Sequence, residues 1–230
     1  MSLNMAASTE QVREDFDRIA RLTAHGARAA YVYHNYLLNQ LPPSCKNILD
    51  VGCGLGNFTR LLATRAERVV AVDLSPEMIR LARELSAQCP EIEYVLGDFM
   101  LLDFPRESFD CVVSLATLHH LPLSDALRKM KDALAPGGVL VIQDLIADDG
   151  VVDVFRSALA VPVNIMLRLW KTGRLLPGRA VRKAWAEHGR HDVYLTLAEV
   201  KRICDQHLPG ARIQRHLLWR YTVVWHKPSE

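Results

Sequence analysis

The sequence predicts a doubly wound α/β domain that ends in an antiparallel hairpin. Five short runs rich in branched apolar residues, NILDV, RVVAVDL, IEYVLG, DCVVSLA and GVLVIQD, alternate with helical segments between positions 47 and 144. This alternation is typical of parallel strands joined by crossover helices. Two further strand-like runs, ARIQRHLL and WRYTVVWH, follow each other almost directly near the end of the chain and predict a hairpin.

The helices of this fold have recognisable boundaries in the sequence. Apolar residues at helical spacing, with Ser8 as N-cap, predict a first helix that ends before Gly26, and a second helix follows. A last helix from Leu197 to about Gln206 precedes the hairpin. The predicted N-caps of three crossover helices between the strands are Asn57, Ser75 and Ser124.

Composition limits the classes of function. The 28 basic and 26 acidic side chains nearly cancel, which argues against a broad surface for nucleic acid or membrane. The five cysteines lack CxxC spacing and predict neither a disulfide framework nor a zinc site. The N-terminus lacks the features of a secretory signal, and polar residues interrupt the longest apolar stretch, Val151 to Trp170. We expect a cytoplasmic protein without a transmembrane segment.

The strongest local signal is ILDVGCGLGNF, in which a buried strand runs into a loop with glycine at every second position from Gly52 to Gly56. Glycine lets the backbone approach a ligand closely, and in an open α/β sheet this loop lies where ligands bind. Asn57 replaces the third glycine of the dinucleotide fingerprint. Asp50 would repel a pyrophosphate but suits a cationic amino group or a sulfonium. The loop therefore predicts a ligand with a positive charge.

Two acidic residues after the next two strands indicate that this ligand is a nucleoside. Asp73 ends the second predicted strand, where a carboxylate reaches the hydroxyl groups of a bound ribose. Asp98 follows the third strand, where it could accept a hydrogen bond from an adenine amino group while Phe99 packs against the ring. The alternative for Asp98 is a solvated carboxylate in a turn.

In their order and spacing these residues resemble the class I S-adenosylmethionine-dependent methyltransferases, within the small-molecule group that includes the ubiquinone and menaquinone biosynthesis methyltransferases. The resemblance runs from about Phe16 to Ile142, through FDRIA, DVGCGLG, VDLSPEMI, GDF, FDCVVSLATLHHL and LAPGGVLVI. It implies a Rossmann-like, mostly parallel sheet of seven strands, with the antiparallel hairpin at its edge. It also implies an N-terminal helical lid, a helical cap insertion, and S-adenosylmethionine as cofactor.

The resemblance implies roles for particular positions. The residues expected around the cofactor are Asp50, Gly52, Gly54, Gly56, Asp73, Leu74, Met78, Asp98, Phe99 and Leu115. The glycines would line the methionine part, Asp73 would hold the ribose, and Leu74 and Met78 would flank the adenine. His119 and His120 follow the fourth strand, beside the expected position of the sulfonium methyl group. A histidine there can remove a proton from the acceptor, or it can only shape the pocket by hydrogen bonding.

The sequence departs from its relatives at two places. Some relatives hold a metal with a pair of Glu side chains and the histidine that corresponds to His120. In this chain Ala116 and His119 occupy the two carboxylate positions. No metal site is therefore expected. The tyrosine that relatives place after FDxxAxx in the lid is Thr23 in this chain.

The segment before the hairpin is expected to select the acceptor. Seven Lys or Arg residues against one acid between Arg168 and His191 could meet an anionic group, or they could form a solvated helical face. Arg190 and Tyr194 are expected near the acceptor. Apolar residues in the same segment could line an apolar pocket or simply pack in the core: Val154, Phe155, Leu159, Ile165 and Leu169.

The predicted function is methyl transfer from S-adenosylmethionine to a small-molecule acceptor, anionic or apolar, by in-line displacement, which mainly requires positioning. We divide the single domain, residues 1–230, into a lid (9–40), a cofactor-binding core (46–144), a cap insertion (145–195) and a terminal helix with hairpin (196–230). The alternatives are a non-catalytic S-adenosylmethionine-binding protein on the same fold and an NAD-dependent oxidoreductase. The chain also lacks the Asn/Asp-Pro-Pro-aromatic loop of amino-group-modifying nucleic-acid methyltransferases.

Overall fold

The computed structural model describes residues 8–23, 33–147 and 178–229, together with positions 162, 165, 166 and 169. Several residues of the predicted cap lie outside this part of the chain, namely Val154, Phe155, Leu159 and the basic residues from Arg168 to Arg174. Ile165 and Leu169 are 38% and 45% exposed, so neither side chain is buried in the core.

A sheet of seven strands in the order β3-β2-β1-β4-β5-β7-β6 forms the middle of the molecule. The first five strands are mutually parallel, and β7 runs antiparallel to both β5 and β6. The predicted Rossmann-like sheet with an antiparallel terminal hairpin is confirmed. The strands are β1 (Cys45–Val51), β2 (Ala66–Asp73), β3 (Ile92–Leu96), β4 (Phe109–Leu115), β5 (Leu134–Leu145), β6 (Arg212–His216) and β7 (Arg220–His226).

Helices lie on both faces of the sheet. They are α1 (Thr9–Thr23), α2 (His34–Leu38), α3 (Thr59–Leu62), α4 (Pro76–Leu85), α5 (Leu123–Ala133), α6 (Arg179–His188) and α7 (Leu197–His207), and a 3₁₀ turn covers Leu118–His120. Ser8 and Ser75 cap α1 and α4 as predicted, because their hydroxyl oxygens accept the backbone N–H of Gln11 at 3.2 Å and of Met78 at 3.1 Å. Among the described helices, none has both the length and the apolar character needed to cross a membrane.

The other two predicted caps are wrong. Helix α3 is a single turn with Phe58 at its N-cap and no side-chain cap, and the Oδ1 atom of Asn57 instead accepts a hydrogen bond from Arg60 at 2.8 Å. Helix α5 begins two residues earlier than predicted, after Pro122, again without a side-chain cap. Proline has a fixed φ that suits a helix start, which makes Ser124 part of the first turn instead.

The core consists of two apolar layers, one on each face of the sheet. Alternate residues of a strand point to opposite faces, so β1 contributes Leu49 to one layer and Ile48 to the other. The first layer packs against α5 and α7, and the second packs against α2 and α3. Strand order reverses between β1 and β4, so the crevice at their carboxyl ends is the place where such sheets bind ligands.

Candidate active site

The loop after β1 requires glycine at two positions. Both have a positive φ, and at Gly52 the close packing also leaves no room for a side chain. Gly52 has φ +77°, its N–H donates to the Val72 carbonyl at 2.8 Å, and a Cβ atom there would lie 2.0 Å from the Thr117 hydroxyl oxygen. Gly54 has φ +53°, but a Cβ atom there would have no neighbour within 4 Å among the residues that the structure describes. Within this part of the chain, the loop is therefore packed tightly at Gly52 and open at Gly54.

Asp73, the last residue of β2, connects this loop to helix α4. Its Oδ2 atom accepts the N–H of Gly54 at 2.8 Å, and its Oδ1 atom accepts the N–H of Ser75 at 2.9 Å. Burial raises the pKa of Asp73, and these two N–H groups oppose the rise. The Leu74 N–H also opposes the rise. A carboxylate has about four lone-pair sites, so Asp73 keeps acceptor capacity for a ligand.

Asp50 lies beneath the glycine loop and is only 2% exposed. The Thr59 hydroxyl donates to its Oδ2 atom at 2.6 Å. Burial raises the pKa of Asp50 to about 7, the Thr59 hydrogen bond lowers it, and the negative charge of Asp73 raises it. The carboxyl group is therefore partly protonated at neutral pH, and a positive charge placed nearby would favour its ionised form.

Two apolar residues expected at the cofactor are buried within the protein. Met78 packs against Ile19 of α1, and the Phe99 ring lies in the core 5.7 Å from the ring of Phe104, measured between centroids. Met78 is 6% exposed and Phe99 is 5% exposed. Their contacts with an adenine ring stay predictions.

The remaining positions lie around the same edge of the sheet. The Oδ1 atom of Asp98 accepts the N–H of Met100 at 2.8 Å, which is the geometry of a turn carboxylate, the alternative considered above. Gly56 packs beneath Tyr94, whose hydroxyl oxygen would lie 2.2 Å from a Cβ atom. Leu74 and Leu115 are half-buried at the ends of β2 and β4.

The two histidines follow β4 in a tight turn. Ala116 adopts φ +53°, a left-handed conformation that is unusual for a residue with a side chain, and its N–H donates to the Gln143 carbonyl at 2.8 Å. The 3₁₀ turn then places the rings of His119 and His120 with their centroids 3.9 Å apart. Both side chains are nearly buried, at 6% and 8% exposed.

Asp144, near the end of β5, orients His119. Its Oδ1 atom lies 2.6 Å from Nδ1 of His119, and its Oδ2 atom accepts the His119 backbone N–H at 2.8 Å. A carboxylate accepts hydrogen bonds only, so Nδ1 carries a proton, and in the neutral ring the lone pair is therefore on Nε2. Asp144 is 1% exposed. The ring of His119 is thereby held in one tautomer, with Nε2 available to a ligand.

Asp192, in the segment after α6, approaches the second histidine. Its Oδ1 atom lies 3.7 Å from Nδ1 of His120 and 3.7 Å from Nε2 of His188, and its Oδ2 atom accepts the Tyr194 hydroxyl at 2.7 Å. Burial, then the neighbouring His119, lowers the pKa of His120 to about 4, so its ring is neutral at neutral pH. Tyr194 packs with its ring centroid 5.2 Å from that of His119.

Helix α1 covers His120 and His188. The Phe16 ring packs edge-on with its centroid 5.6 Å from that of His120 and 4.7 Å from that of His188. Thr23, which stands where relatives have a tyrosine, donates its hydroxyl to the Ile19 carbonyl at 2.8 Å and so contacts its own helix.

Of the two cap residues expected near the acceptor, the structure brings only Tyr194 to the histidines. Arg190 is exposed and lines a groove between α1 and α6. Sequence reasoning missed Asp144 and Asp192. Asp144 had a usable signal, because the carboxyl ends of the adjacent parallel strands β4 and β5 meet at one edge. No sequence signal indicated Asp192, because only the folding of the cap brings it to His120.

Comparison with known proteins identifies the family. A family model described as a methyltransferase domain matches residues 49–142. An uncharacterized methyltransferase of Mycobacterium tuberculosis is 31% identical over 207 residues, which cover 86% of this chain and 96% of the relative. The chain belongs to the class I S-adenosylmethionine-dependent methyltransferases. Its activity is methyl transfer from that cofactor.

Other relatives of the methyltransferase agree with this assignment. The 2-phytyl-1,4-naphtoquinone methyltransferase of Thermosynechococcus vestitus is 30% identical over 146 residues, which cover 61% of this chain and 64% of that protein. The predicted resemblance to quinone methyltransferases is confirmed.

Solved structures resemble the methyltransferase in fold. Phosphoethanolamine N-methyltransferase 2 of Haemonchus contortus, solved with phosphomonomethylethanolamine and S-adenosylhomocysteine, aligns with a TM-score of 0.68 at 15% identity, over 96% of this chain and 60% of that one. A methyltransferase of Haloferax volcanii in complex with its Trm112 activator aligns with a TM-score of 0.64 at 18% identity, over 93% and 97%. At these identities the likeness shows the fold alone.

Proposed function

We propose that this methyltransferase binds S-adenosylmethionine across the carboxyl ends of β1, β2 and β3 and transfers its methyl group to a small molecule held against His119 and His120. The observation that carries the proposal is that the glycine loop, Asp73 and the two histidines share one edge of the sheet, where strand order reverses between β1 and β4.

The cofactor contacts follow from the free hydrogen-bonding capacity of this edge. The open space at Gly54 receives the methionine part. Asp73 is already fixed by two backbone N–H groups, and its remaining lone pairs accept the ribose hydroxyls. Asp50 lies below and balances the positive charge of the ligand. The other proposed contacts are Gly52, Gly56, Leu74, Met78, Asp98, Phe99 and Leu115.

The reaction needs little covalent help from the protein. A new bond forms between the acceptor atom and the methyl carbon while the carbon–sulfur bond breaks, and its electron pair stays on sulfur to leave S-adenosylhomocysteine. A proton carried by the acceptor atom is released to a histidine or to the solvent. The protein must align the two molecules and exclude water. His119 and His120 are both nearly buried, with His120 beneath Phe16 of α1, and they are the polar groups that meet the acceptor.

The acceptor and the location are proposed on broader grounds. The naphtoquinone methyltransferase relative supports an apolar small-molecule acceptor. The free cysteines of the described chain support a reducing compartment and therefore a cytoplasmic location.

The test is a calorimetric titration with S-adenosylmethionine, with NAD titrated in parallel. We expect micromolar binding of S-adenosylmethionine that Asp73→Ala weakens by more than about tenfold, roughly 1.4 kcal/mol. Asp103→Ala, at an exposed aspartate, is the matched control and should change the affinity less than about twofold. Failure of the wild-type protein to bind S-adenosylmethionine, or tighter binding of NAD, would refute the proposal.

Turnover is tested separately, on a panel of quinol, phenol and carboxylate acceptors, by the appearance of S-adenosylhomocysteine. Binding without turnover on every acceptor would favour the non-catalytic alternative.

A further inference from the structure

We propose that His119, His120 and Asp192 bind a divalent transition-metal ion of the Zn²⁺ type beside the methyl acceptor. One ligand atom from each of the three side chains lies within 4.8 Å of the other two. Two imidazoles and one carboxylate form a donor set that suits Zn²⁺ or Fe²⁺, whereas Mg²⁺ and Ca²⁺ prefer sites built from oxygen ligands. Three protein ligands also leave a coordination position open, as in catalytic zinc sites.

The spacing of the cluster fits a shared ion better than direct hydrogen bonds. Oδ1 of Asp192 lies 3.7 Å from Nδ1 of His120, which is beyond hydrogen-bond distance. Ligand atoms of one tetrahedral zinc ion lie about 3.4 Å apart, given Zn–N and Zn–O distances near 2.1 Å. The ligand atoms of the three side chains would therefore need to approach one another by about 1.4 Å at most on binding.

The environment of His120 also calls for a partner. Its side chain is 8% exposed, and its Nε2 atom has no hydrogen-bond partner in the part of the chain that the structure describes. An unsatisfied buried polar atom costs about 1–3 kcal/mol. Asp192, at 4% exposed, is buried next to it. An ion bound at Nε2 would remove this cost, whereas an ion bound at Nδ1, the nitrogen 3.7 Å from Asp192, would leave it.

Two further residues support the proposed ligands from behind. The Asp144 carboxylate binds Nδ1 of His119 at 2.6 Å and so directs Nε2 toward a ligand. The Tyr194 hydroxyl donates to Oδ2 of Asp192 at 2.7 Å, which leaves Oδ1 for a ligand. A histidine ligand whose other nitrogen binds a carboxylate, and a ligating carboxylate that itself accepts a hydrogen bond, are the usual supports of a metal site.

This proposal replaces the sequence-based prediction of no metal site. That prediction considered carboxylates in the segment around Ala116 only, whereas Asp192 comes from the cap. The binding of an ion does not depend on the proposed function, but its use does. A bound ion would lower the pKa of a coordinated acceptor hydroxyl, whose proton passes to solvent before its oxygen attacks the methyl carbon.

The test is a titration of chelator-treated full-length protein with Co²⁺, followed by the visible absorption bands of coordinated cobalt. We expect one Co²⁺ per chain, displaced by Zn²⁺ but not by about a hundredfold excess of Mg²⁺. Asp192→Asn and His120→Gln should each weaken Co²⁺ binding by more than about tenfold, and Asp144→Asn by about 10- to 100-fold. His191→Ala, at the exposed histidine next to Asp192, is the matched control and should bind Co²⁺ as the wild type does.

Each outcome decides the question. Absence of cobalt bands, or equal Co²⁺ affinity in the wild type and in Asp192→Asn, would overturn the proposal and leave His119 as a free base oriented by Asp144. Binding of S-adenosylmethionine is measured for every variant in parallel. If Asp192→Asn keeps that binding and loses Co²⁺, the variant is folded and the metal site is established. If the wild type binds Co²⁺ but not S-adenosylmethionine, the proposed function fails and the metal site stands.

Discussion

The buried carboxyl group of Asp50 should make cofactor binding depend on pH. In the free protein burial raises its pKa to about 7, against an ordinary value of 3.8. If the cation S-adenosylmethionine binds the ionised form, its affinity follows the ionised fraction of Asp50. That fraction rises from about 0.1 at pH 6 to about 0.9 at pH 8, so the affinity should rise about tenfold, or about 1.4 kcal/mol.

The measurement is calorimetric titration between pH 6 and pH 8 in two buffers of different ionisation enthalpy. A fraction of a proton should be released for each molecule bound at pH 7, because part of the Asp50 carboxyl groups are protonated before binding. Asp50→Asn removes this titration and is the control for protons lost from the ligand itself. Thr59→Val removes the hydroxyl that lowers the pKa of Asp50 and should move the rise in affinity to higher pH.

The same shift has a consequence for stability in the absence of ligand. Because the pKa of Asp50 is higher in the folded state than in the unfolded state, the folded protein binds the extra proton between about pH 4 and pH 7. The stabilisation is complete below pH 4 and is lost as the pH rises toward 7, by up to about 4 kcal/mol. Asp50→Asn should lack this loss in urea unfolding. An affinity and a stability that are both independent of pH, relative to Asp50→Asn, would refute the reasoning.

Two further predictions concern the glycine loop and the covering helix. Gly52→Ala should cost about 2–4 kcal/mol of unfolding free energy, since its Cβ would overlap Thr117, whereas Gly54→Ala should cost about 1 kcal/mol but abolish binding of S-adenosylmethionine. Normal binding by Gly54→Ala would contradict the proposed position of the methionine part. Phe16→Ala should cost about 2 kcal/mol in urea unfolding and raise the KM of the acceptor, whereas Leu22→Ala, on the exposed side of α1, should change neither.

The fold could be predicted because its signals are local and repeated. Each parallel strand is a short run of branched apolar residues, since a strand covered on both faces has no solvated side, and all five runs became strands. The caps were less predictable, because several residues near a helix start compete for one position. At α5, Pro122 precedes Ser124 and starts the helix first. At α3, the Asn57 side chain was expected to cap the helix, but it accepts a hydrogen bond from Arg60 instead.

From the sequence, only residues at the carboxyl ends of the parallel strands could be assigned to the site. The positions of Asp73 and the histidine pair follow from strand ends, because all parallel strands of a doubly wound sheet finish at the same edge. The direction of a side chain does not follow from that rule, so Asp50 and Phe99 proved to be buried in the protein. Nor does the rule reach Asp192, whose place depends on contacts far apart in the chain, such as the hydrogen bond from the Ala147 N–H to the Leu195 carbonyl at 3.1 Å.

Helix α1 connects the two halves of the site. On one side the Asp17 carboxylate accepts hydrogen bonds from the Ser75 hydroxyl at 2.5 Å and from the Glu77 N–H at 3.2 Å, at the start of α4 and next to Asp73. One residue earlier, Phe16 covers His120. A helix that is stiff over one turn cannot leave the histidines without also disturbing these contacts at α4. Binding of the cofactor and binding of the acceptor should therefore be coupled through α1. The position of this helix should determine the order in which the two ligands bind.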